Sequence, residues 1–399
     1  MKFISLLLLF VSLATFGQSG VWTRTGIVDS TISITGSGNS IWAATQNNGV
    51  QHLEINTGNL TIYNQVNTGF ITNDFRSIAV SPTTVYAGTF DNGYYTYFNS
   101  EWTHYDTLNS PLPGMQVNDF CLYNDSIIFI ATDQGLVKIE NATWTIFDST
   151  IIAAKKLTCL YKDNSNRLWI GSKYHGVTKL EDGIFTNYNY ENAGINNDWI
   201  RAISSNSVGL MFIADYLGVN TYQPETDDWL FVYNTFTAPM SSERVNKIGF
   251  QQNGTLWFAT HIGVTSADTS NFWNQYYDYN SNLPHNVTDG LYIDDADRVW
   301  VATYGGVAVF TNTNELPATT TQLFLSPNPC NNLLSVSANP SSEITIYNLQ
   351  GASVTKDVKI AENFGEQILT ADVTSLPTGM YWVVMTTGET SVSSAFIKK

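Results

Sequence analysis

Short polar turns that recur along the chain carry the side chains best suited to binding a ligand. The residues of interest in these turns are Phe90, Asp91, Lys173, Tyr174, His175, Tyr216, His261 and Tyr304. A tyrosine combines a flat apolar face with a hydroxyl group, and histidine and lysine add further hydrogen-bonding groups. This mixture matches a sugar ring, which has an apolar face and hydroxyl groups at its edge. We therefore predict that these turns bind an extracellular glycan. The alternative is that they are ordinary exposed turns.

Enzymatic activity and simple adhesion are alternatives to glycan recognition. In a polysaccharide lyase, the general base and acid would come from Tyr174, His175, Tyr216 and His261. Lys173 is the one basic residue in these turns that would neutralise a substrate carboxylate. Glycoside hydrolysis needs two facing carboxylates, and the turns offer Asp91 and Asp133. The third possibility is a non-catalytic adhesin or structural surface protein.

Motifs for cofactor or metal chemistry are missing from the sequence. It contains no nucleotide-binding loop, nucleophile elbow or zinc-spaced set of His and Cys residues. The segment "DNSNRLWIGSKY" from Asp163 superficially resembles a calcium loop, but it has no glycine at the sixth position and no closing glutamate. We predict neither a metal nor a cofactor.

An internal repeat supplies the elements that must position these turns. Seven copies of a pattern such as "LWIGSKYHGVTKL" are centred on Trp42, Tyr86, Phe129, Trp169, Phe212, Trp257 and Trp300, at spacings of 40 to 45 residues. Four short strands fit each copy, which is typical of a β-propeller. The last copy lacks its fourth strand, and "GVWTRTG" (Gly20–Gly26) resembles that missing strand. We predict an all-β chain: a seven-bladed β-propeller over residues 18–315, closed by the Trp22 strand, followed by a small Ig-like β-sandwich.

Small residues in each copy indicate how the sheets are built. We expect the glycine that ends each turn to adopt a positive φ angle; these glycines are Gly49, Gly93, Gly135, Gly176, Gly218, Gly263 and Gly306. The alanine or glycine after each repeat aromatic would let neighbouring sheets approach closely. Cys121 and Cys159 occupy the same place in neighbouring copies, too far apart to bridge, so we predict that both pack in the core.

The repeats resemble the two-component regulator propeller repeat. The copies that carry the resemblance are "NRLWIGSKYHGVTKL", "GTLWFATHIGVTSA" and "DRVWVATYGGVAVF". In that family, such propellers often form sensor domains of hybrid histidine kinases and are thought to sense glycans. This sequence contains no kinase or receiver segment, so we do not expect it to signal through its own chain.

The two ends of the sequence point to export. Residues 1–17 have the pattern of a signal peptide, with Lys2 ahead of an apolar run from Phe3 to Phe16. This run is too short for a transmembrane span, and the sequence contains no other apolar run of 18 residues. A polar, Thr-rich stretch that includes residues 316–322 reads as a linker. The alternating apolar residues of 323–399 then indicate about seven short strands.

The tail is similar to the C-terminal sorting domain of the type IX secretion system of Bacteroidota. The matching residues are Pro327, Asn328, Pro329, Leu334, Gly351, Gly379, Tyr381, Lys398 and Lys399. The resemblance implies recognition by the type IX secretion machinery, removal of the tail, and a body that is released or anchored to surface lipopolysaccharide. It therefore predicts a secreted or outer-surface protein.

The charge of the chain excludes one class of partner. With 18 basic against 34 acidic residues and a net charge of −16, the sequence has no basic stripe for a nucleic-acid backbone.

The resemblance of the tail to a Bacteroidota domain adds a hypothesis of O-glycosylation. The pattern is Asp, then Ser or Thr, then an aliphatic residue or Thr, and it occurs at Ser30, Thr107, Ser126 and Ser149.

Overall fold

Each repeat folds into a sheet of four antiparallel strands. The computed structural model describes residues 20–312, apart from positions 125 and 153, and in the tail residues 325–326, 330–337, 343–348, 352–363, 368–387 and 390–399. The predicted signal peptide and linker lie outside the described residues. The chain divides into two compact units, Met1–Asn314 and Glu315–Lys399.

The strands of the first unit follow the chain order of the repeats, and we number the sheets one to seven. The N-terminal strand β1 is Gly20–Arg24. Sheets one to three consist of β2 (Thr31–Ser37), β3 (Ser40–Thr45), β4 (Val50–Glu54) and β5 (Leu60–Tyr63); β6 (Phe75–Val80), β7 (Val85–Thr89), β8 (Tyr94–Phe98) and β9 (Glu101–Tyr105); and β10 (Val117–Asn124), β11 (Ile127–Thr132), β12 (Gly135–Glu140) and β13 (Thr143–Phe147). Sheets four to six consist of β14 (Leu157–Lys162), β15 (Leu168–Ser172), β16 (Val177–Glu181) and β17 (Ile184–Tyr188); β18 (Ala202–Ser205), β19 (Met211–Ala214), β20 (Val219–Gln223) and β21 (Asp228–Tyr233); and β22 (Val245–Phe250), β23 (Leu256–Thr260), β24 (Val264–Ala267) and β25 (Trp273–Tyr276). Sheet seven consists of β26 (Thr288–Ile293), β27 (Val299–Thr303), β28 (Gly306–Asn312) and β1.

The sheets are arranged in a ring. The first strand of each sheet contacts the first strand of the following sheet, and β26 of sheet seven contacts β2 of sheet one. β1 completes sheet seven by pairing antiparallel with β28, which places Trp22 opposite Phe310. Main-chain hydrogen bonds thus join the N-terminal strand to the last repeat. This arrangement of four-stranded sheets is that of a β-propeller.

Among the described residues of this unit, two short helices interrupt the strands, α1 (Gln65–Thr68) and α2 (Tyr190–Ala193). Each is a single turn that begins at an asparagine cap, Asn64 or Asn189. None of the helices in the described part of the chain is long and apolar enough to cross a membrane.

The hydrophobic core lies between neighbouring sheets. Trp169 of β15 is fully buried, and its ring centroid lies 5.6 Å from that of Tyr222 in the next sheet. The small residue after the tryptophan permits this approach, because a Cβ at Gly171 would lie 2.9 Å from the Ile200 side chain in the segment that leads into sheet five. That distance is shorter than van der Waals contact between carbon atoms. A larger residue at this position would push the two sheets apart.

The two cysteines of the first unit are buried and unbridged, but they do not occupy equivalent positions, so that prediction was wrong. Cys121 lies opposite Phe129, whereas Cys159 lies opposite Gly171. The true equivalent of Cys159 is Asp119. The sequences align by their shared "CLY", but the stretch from the cysteine to the repeat aromatic is two residues shorter in the third copy. Burial raises the pKa of both thiols to about 12, as expected for side chains packed in a core.

The turns between the second and third strands are rigid. The predicted positive φ angles of their glycines are confirmed in all seven copies, from 68° at Gly176 to 146° at Gly218. A Cβ at Gly176 would also collide with the carbonyl oxygen of Tyr188 in the fourth strand. In six of the turns, a threonine or serine hydroxyl donates a hydrogen bond to the glycine carbonyl, as Ser172 does to Gly176 at 3.0 Å. These turns therefore hold their side chains on a fixed support.

The turns at the opposite end of two sheets are held by a buried acid. In sheet four, the Asp163 carboxylate accepts hydrogen bonds from Arg167 Nε at 2.6 Å and from Trp169 Nε1 at 2.8 Å. Sheet seven repeats the arrangement with Asp294, Arg298 and Trp300. Asp163 opens the segment that resembles a calcium loop, and its carboxylate is engaged by donors of the protein itself.

The tail consists of two sheets that share one core. Their strand orders are β29–β30–β33–β32 and β31–β34–β35. The strands are β29 (Leu325–Ser326), β30 (Leu333–Ser337), β31 (Glu343–Asn348), β32 (Lys359–Asn363), β33 (Ile368–Asp372), β34 (Gly379–Thr387) and β35 (Thr390–Lys398), and a 3₁₀ turn spans Thr355–Asp357. Leu334, Tyr381 and Phe396 are among the core side chains that both sheets contribute.

Candidate functional site

The turns with the candidate residues and the segments that lead into the first strands lie on one face of the ring, which we call the mouth face. The Lys173 N–H donates a hydrogen bond to the Lys156 carbonyl at 2.9 Å, and the His261 N–H donates to the Arg244 carbonyl at 2.9 Å. In three further sheets the main-chain N–H of the turn residue likewise donates to a carbonyl at the start of the first strand: Phe90 to Asp74, Asp133 to Gln116, and Tyr304 to Val287. In these sheets the turn is thus fixed to the start of the first strand.

The first strands of six sheets open with a β-bulge that re-aims one side chain toward the mouth. The pairing register shifts after the first residue pair, for example between Leu157 and Cys159. The residues in the extra position are Ile32, Arg76, Asn118, Thr158, Asn246 and Asp289, and Arg201 stands at the corresponding place before β18. A bulge breaks the strict alternation of side chains along a strand. We call these seven residues the bulge ring.

Polar members of the bulge ring hydrogen bond to the next sheet. Thr158 Oγ1 donates to the Ile200 carbonyl at 2.6 Å. Asn246 Nδ2 donates to the Thr288 carbonyl and to Asp289 Oδ1, both at 2.8 Å. These bonds tie neighbouring sheets together at the mouth and fix the positions of the side chains that surround it.

A cavity of about 370 Å³ opens at the mouth face, lined by residues of sheets one to five. Its lining includes Arg76, Gln116, Asn118, Asp133, Lys156, Lys173, Trp199 and Arg201. Lys247 and Asp119 each follow a bulge-ring residue, and their side chains come within 3.8 Å of each other between sheets six and three. That ion pair spans the interior of the ring beneath the bulge ring. The size of the cavity is typical of a small-ligand site.

Trp199 is at the centre of a cluster of aromatic and cationic side chains. Its ring stacks on Tyr216, with centroids 5.3 Å apart and an interplanar angle of 16°. Lys173 Nζ lies 4.7 Å from the Trp199 ring, and the Arg201 guanidinium lies 5.4 Å from it. The Arg244 guanidinium lies 5.0 Å from the Tyr216 ring. Each of these distances is short enough for a cation–π interaction.

The charges at the mouth shift the pKa values of the groups around them. Burial, together with the guanidinium groups of Arg244 and Arg201, lowers the pKa of His261, so its imidazole is neutral at pH 7. Burial raises the pKa of Asp289, while the guanidinium groups of Arg201, Arg76 and Arg244 oppose that shift. Burial and the neighbouring Arg244 also lower the pKa of Arg201. Three arginines therefore act on the same small group of side chains.

The turn of sheet five departs from the pattern of the other six. A buried carboxylate, Asp215, takes the place of the hydroxyl group and accepts hydrogen bonds from Leu217 N at 2.7 Å, Asn197 N at 2.9 Å and Asn220 Nδ2 at 2.8 Å. Burial raises its pKa to about 6. Asp215 thereby fixes the loop that carries Trp199 two residues after Asn197.

The structure brings about half of the predicted site residues into contact with the cavity or its lining. Lys173 lines the cavity. Phe90 lies under the Arg76 guanidinium at 4.7 Å, Tyr174 lies 5.4 Å from Lys173 Nζ, and Tyr216 stacks on the cavity-lining tryptophan.

The remaining predicted residues lie on the same face with other partners. His261 is bound through its main chain to the Arg244 segment described above. Tyr304 stacks on His285 with centroids 5.9 Å apart, the Asp91 carboxylate accepts a hydrogen bond from the neighbouring Asn92, and His175 is exposed. Within the described part of the chain, no group of three or more His, Cys, Asp or Glu side chains is placed to hold a metal ion.

Several residues of the site are not among the predicted ones. Arg76, Lys156, Trp199 and Arg201 line the cavity, and Arg244 lies beside the Tyr216 ring. All five lie in or just before first strands. Lys173 is therefore not the one cation near the candidate residues. The sequence does contain a signal for the bulge-ring residues among them. In the aligned first strands, a polar residue follows the apolar residue that opens the strand, as in "VNDF" and "IRAI". Only the bulge shows that this polar residue reaches the mouth.

The residues of the predicted sorting motif are placed as structural parts of the tail. Leu334 is buried, and the buried Tyr381 donates its hydroxyl proton to the Pro377 carbonyl at 2.8 Å. The Lys399 N–H donates to the Cys330 carbonyl at 2.9 Å. Lys398 is buried at the end of β35, and Gly379 begins β34. The motif residues Pro327, Asn328, Pro329 and Gly351 lie outside the described residues.

Residues 325–399 match the secretion system C-terminal sorting domain. The match supports the predicted secretion by the type IX system, to the cell surface or beyond it. No curated protein matches the chain.

Three solved structures are similar to this chain. The chain is 15% identical to PorZ, a bacterial surface component of the type IX secretion system of Porphyromonas gingivalis, with a TM-score of 0.59 over 94% of this chain and 60% of PorZ. The extracellular domain of BT4673 of B. thetaiotaomicron gives 13% identity and a TM-score of 0.60 over 93% of this chain and 52% of that one. A streptogramin B lyase gives 15% identity and a TM-score of 0.60 over 73% and 97%.

The likeness extends to the fold and no further at these identities. This chain spans 60% of PorZ and 52% of the BT4673 domain, so both of those chains contain more than the part that matches. The shared arrangement is the β-propeller of four-stranded sheets.

Proposed function

We propose that the protein is a secreted or cell-surface propeller that recognises an extracellular glycan at its mouth face. The observation that carries the proposal is the cavity of about 370 Å³ with the Trp199–Tyr216 stack at its side. Flat aromatic faces bind the apolar face of a sugar ring, and convergent polar groups bind its hydroxyl groups. Gln116 and Asn118 supply such polar groups in the lining.

The architecture belongs to the same proposal. The seven sheets are the blades of a seven-bladed propeller over residues 18–315, built from two-component regulator propeller repeats, and residues 1–17 are its signal peptide. The contacts between successive first strands, including β26 with β2, support this reading. After a linker at 316–322, residues 323–399 form an Ig-like sandwich.

The fate of the exported chain is also part of the proposal. The type IX machinery removes the tail, and the propeller is released or anchored to lipopolysaccharide. Ser30, Thr107, Ser126 and Ser149 are proposed O-glycosylation sites, and the exposure of Thr107 and Ser126 supports two of them. An intact mass of the mature protein equal to that of the unmodified chain would remove the glycosylation sites.

A polysaccharide lyase is the second candidate, and the surroundings of His261 favour it. The neutral imidazole of His261 would accept the proton from the carbon atom next to a uronate carboxylate. The guanidinium groups of Arg201 and Arg244 would stabilise the negative charge that develops on the carboxylate. The C–O bond to the leaving sugar breaks as a C=C bond forms, and Tyr216 would protonate the leaving oxygen.

A glycan array combined with polysaccharide depletion tests the proposal on the full-length chain and on Trp199→Ala. Phe231→Ala, which removes an exposed ring from the outer strand β21, is the matched control. Unsaturated uronate products are followed in the same samples by their ultraviolet absorbance. Binding that is lost only in Trp199→Ala, without product, supports recognition, and product formation supports the lyase. A folded chain that neither binds nor turns over any polysaccharide overturns both and leaves an adhesin.

A further inference from the structure

The mouth face concentrates positive charge in an acidic chain. The whole sequence has 34 acidic and 18 basic residues, yet the cavity lining contains Arg76, Lys156, Lys173 and Arg201, with Asp133 as its carboxylate. Arg76 is paired with Asp74 at 2.8 Å, which leaves three cations in excess of one carboxylate. A concave site lined by one sign of charge attracts ligands of the opposite sign. The charge at the mouth is thus opposite in sign to the net charge of the molecule, which indicates a negatively charged ligand.

Two arginines at this site are not committed to acidic partners. Within the described residues, neither Arg201 nor Arg244 has a carboxylate within 4.0 Å. Arg201 donates to the side-chain oxygen of Asn246 at 2.9 Å, and the buried Nε of Arg244 has no hydrogen-bond partner. The Asp289 carboxylate of the bulge ring is bound by Asn246 instead. A buried charged donor without a partner is costly, and this cost applies to Arg244. Arg201 binds a neutral side chain through Nε and Nη2, so its charge is not balanced by a carboxylate.

The two guanidinium groups flank the aromatic stack. Arg201 lies 5.4 Å from the Trp199 ring and Arg244 lies 5.0 Å from the Tyr216 ring, and the two rings are themselves stacked. The two positive charges repel each other, since Arg244 lowers the pKa of Arg201, and an anion bound near both would relieve this repulsion. The same arrangement places the two aromatic rings directly beside the anion-binding groups.

We propose that this site recognises the anionic group of an acidic polysaccharide, the carboxylate of a uronic acid or a sulfate ester, through Arg201 and Arg244. Trp199 and Tyr216 form the platform for the sugar ring that carries the anion. The inference rests on the proposed glycan recognition and adds the chemical class of the ligand. Carboxylate and sulfate both accept the paired N–H donors of a guanidinium group, which is the chemistry they share.

A polysaccharide fits the site better than an acidic peptide. A peptide carboxylate stands on a flexible chain and needs no flat surface beside it, whereas a uronate or a sulfated sugar has its charge attached to a rigid ring. The Trp199–Tyr216 stack lies alongside both arginines, so one sugar unit can contact the rings and the guanidinium groups together. The acidic peptide remains as an outcome of the test.

The test measures binding of the full-length chain by calorimetry at low ionic strength. The probes are polygalacturonate, dextran sulfate, neutral dextran and polyglutamate. We expect binding to polygalacturonate or to dextran sulfate. Binding of polygalacturonate identifies the anion as a carboxylate, and binding of dextran sulfate identifies it as a sulfate ester. Arg201→Gln and Arg244→Gln should each weaken that binding about tenfold or more, because each removes a desolvated charge partner.

Two further variants make the result specific. Lys138→Gln removes the same unit charge from a side chain that pairs with Glu140 at 2.7 Å in β12, and it should leave the affinity unchanged. Arg244→Lys keeps the charge without the paired donors and should bind with intermediate affinity. It also serves as the second variant if Arg244→Gln fails to fold, which circular dichroism reports.

The outcomes separate this inference from the proposed function. Equal binding of neutral dextran and of the acidic polysaccharides, unchanged in the arginine variants, overturns the anion specificity and leaves glycan recognition standing. A folded chain that binds no polysaccharide overturns both. Arginine-dependent binding of polyglutamate without binding of any polysaccharide overturns the glycan as ligand.

Discussion

Arginines at the two ends of the propeller sheets have opposite surroundings. At the end away from the mouth, Arg167 is saturated by the buried Asp163 at 2.6 Å and by Glu225 at 3.3 Å. At the mouth, Arg201 and Arg244 have no carboxylate within 4.0 Å among the described residues. The same side chain therefore closes a turn at one end and remains available to a ligand at the other.

The difference shows where this fold keeps its chemistry. In the Asp163–Arg167–Trp169 turn every charge has a partner, so a change there acts on stability. At the mouth Arg76 is paired with Asp74 at 2.8 Å, but Arg201 and Arg244 repel each other and burial opposes the charge of Arg201. A change at these two arginines therefore acts on binding. A loop on a rigid scaffold that holds unpaired charge is the arrangement expected of a functional site.

The largest effect is expected from breaking the buried pair. Asp163→Ala leaves the guanidinium of Arg167 without its buried partner and Trp169 Nε1 without its acceptor. We expect the free energy of unfolding to fall by about 3–5 kcal/mol, as for other broken buried ion pairs. Urea denaturation followed by tryptophan fluorescence measures the change. Asp295→Ala, at an exposed aspartate beside the equivalent turn of sheet seven, is the control, and a loss no larger than the control's would contradict the assigned role.

Asp215 gives the stability a dependence on pH. Its pKa is raised by burial from 3.8 to about 6, so between those values the folded state binds more protons than the unfolded state. The contribution of the protonated group is fully present below pH 3.8 and is lost as the pH rises through about 6. Relative to Asp215→Asn, the wild type should lose up to about 3 kcal/mol between pH 4 and 7. Urea midpoints of both proteins across that range test this, and parallel curves would refute it.

Gly176 tests the rigidity of the mouth turns. Gly176→Ala combines a positive φ of 68° with a collision between the new Cβ and the Tyr188 carbonyl oxygen. Gly183→Ala shares the positive φ, at 81°, but its Cβ would meet open space. We expect Gly183→Ala to cost about 1 kcal/mol and Gly176→Ala clearly more, by thermal or urea denaturation. Equal costs would mean that the turn relaxes around the collision.

The smallest effect on stability is expected at the mouth. Arg244→Gln removes a cation that has no acidic partner and that lowers the pKa values of Arg201 and His261. The free energy of unfolding should stay within about 0.5 kcal/mol of the wild type. Arg167→Gln, by contrast, should be strongly destabilising because it leaves Asp163 buried without its partner. A comparable loss of unfolding free energy in Arg244→Gln and Arg167→Gln would contradict the difference between the two ends of the sheets.

Much of the fold was predictable because every repeat carries the same pattern of strands and turns. The all-β composition, the four-stranded sheets and the export tail were predicted from repeat spacing and from the tail motifs, and these predictions are confirmed. The cysteines show the limit of the method. Their letters align at "CLY", yet a turn two residues shorter moves Cys121 out of the position of Cys159. Loop length, which local similarity does not reveal, sets the register of a strand.

The candidate site was predictable only in part, for a geometric reason. The turn residues could be placed on one face because their position in the repeat is constant. Arg201 follows an apolar residue as the polar residues of other first strands do, but that pattern does not show where its side chain lies. Arg244 lies between Glu243 and Val245, just before β22, and carries no motif. Only the packing of the first strands around the ring places both at the mouth.

The sequence by itself determined the repeated sheet, the turns with positive φ angles and the tail, since each depends on residues within a few positions of one another. Only the tertiary structure decided the mouth. Residues more than 40 positions apart meet there because the ring brings the first strands together, and the bulges turn a polar side chain of most of them toward the centre. A charge excess of −16 along the chain thus coexists with a cationic cavity, because net charge is a sum over residues and a cavity is made by their arrangement in space.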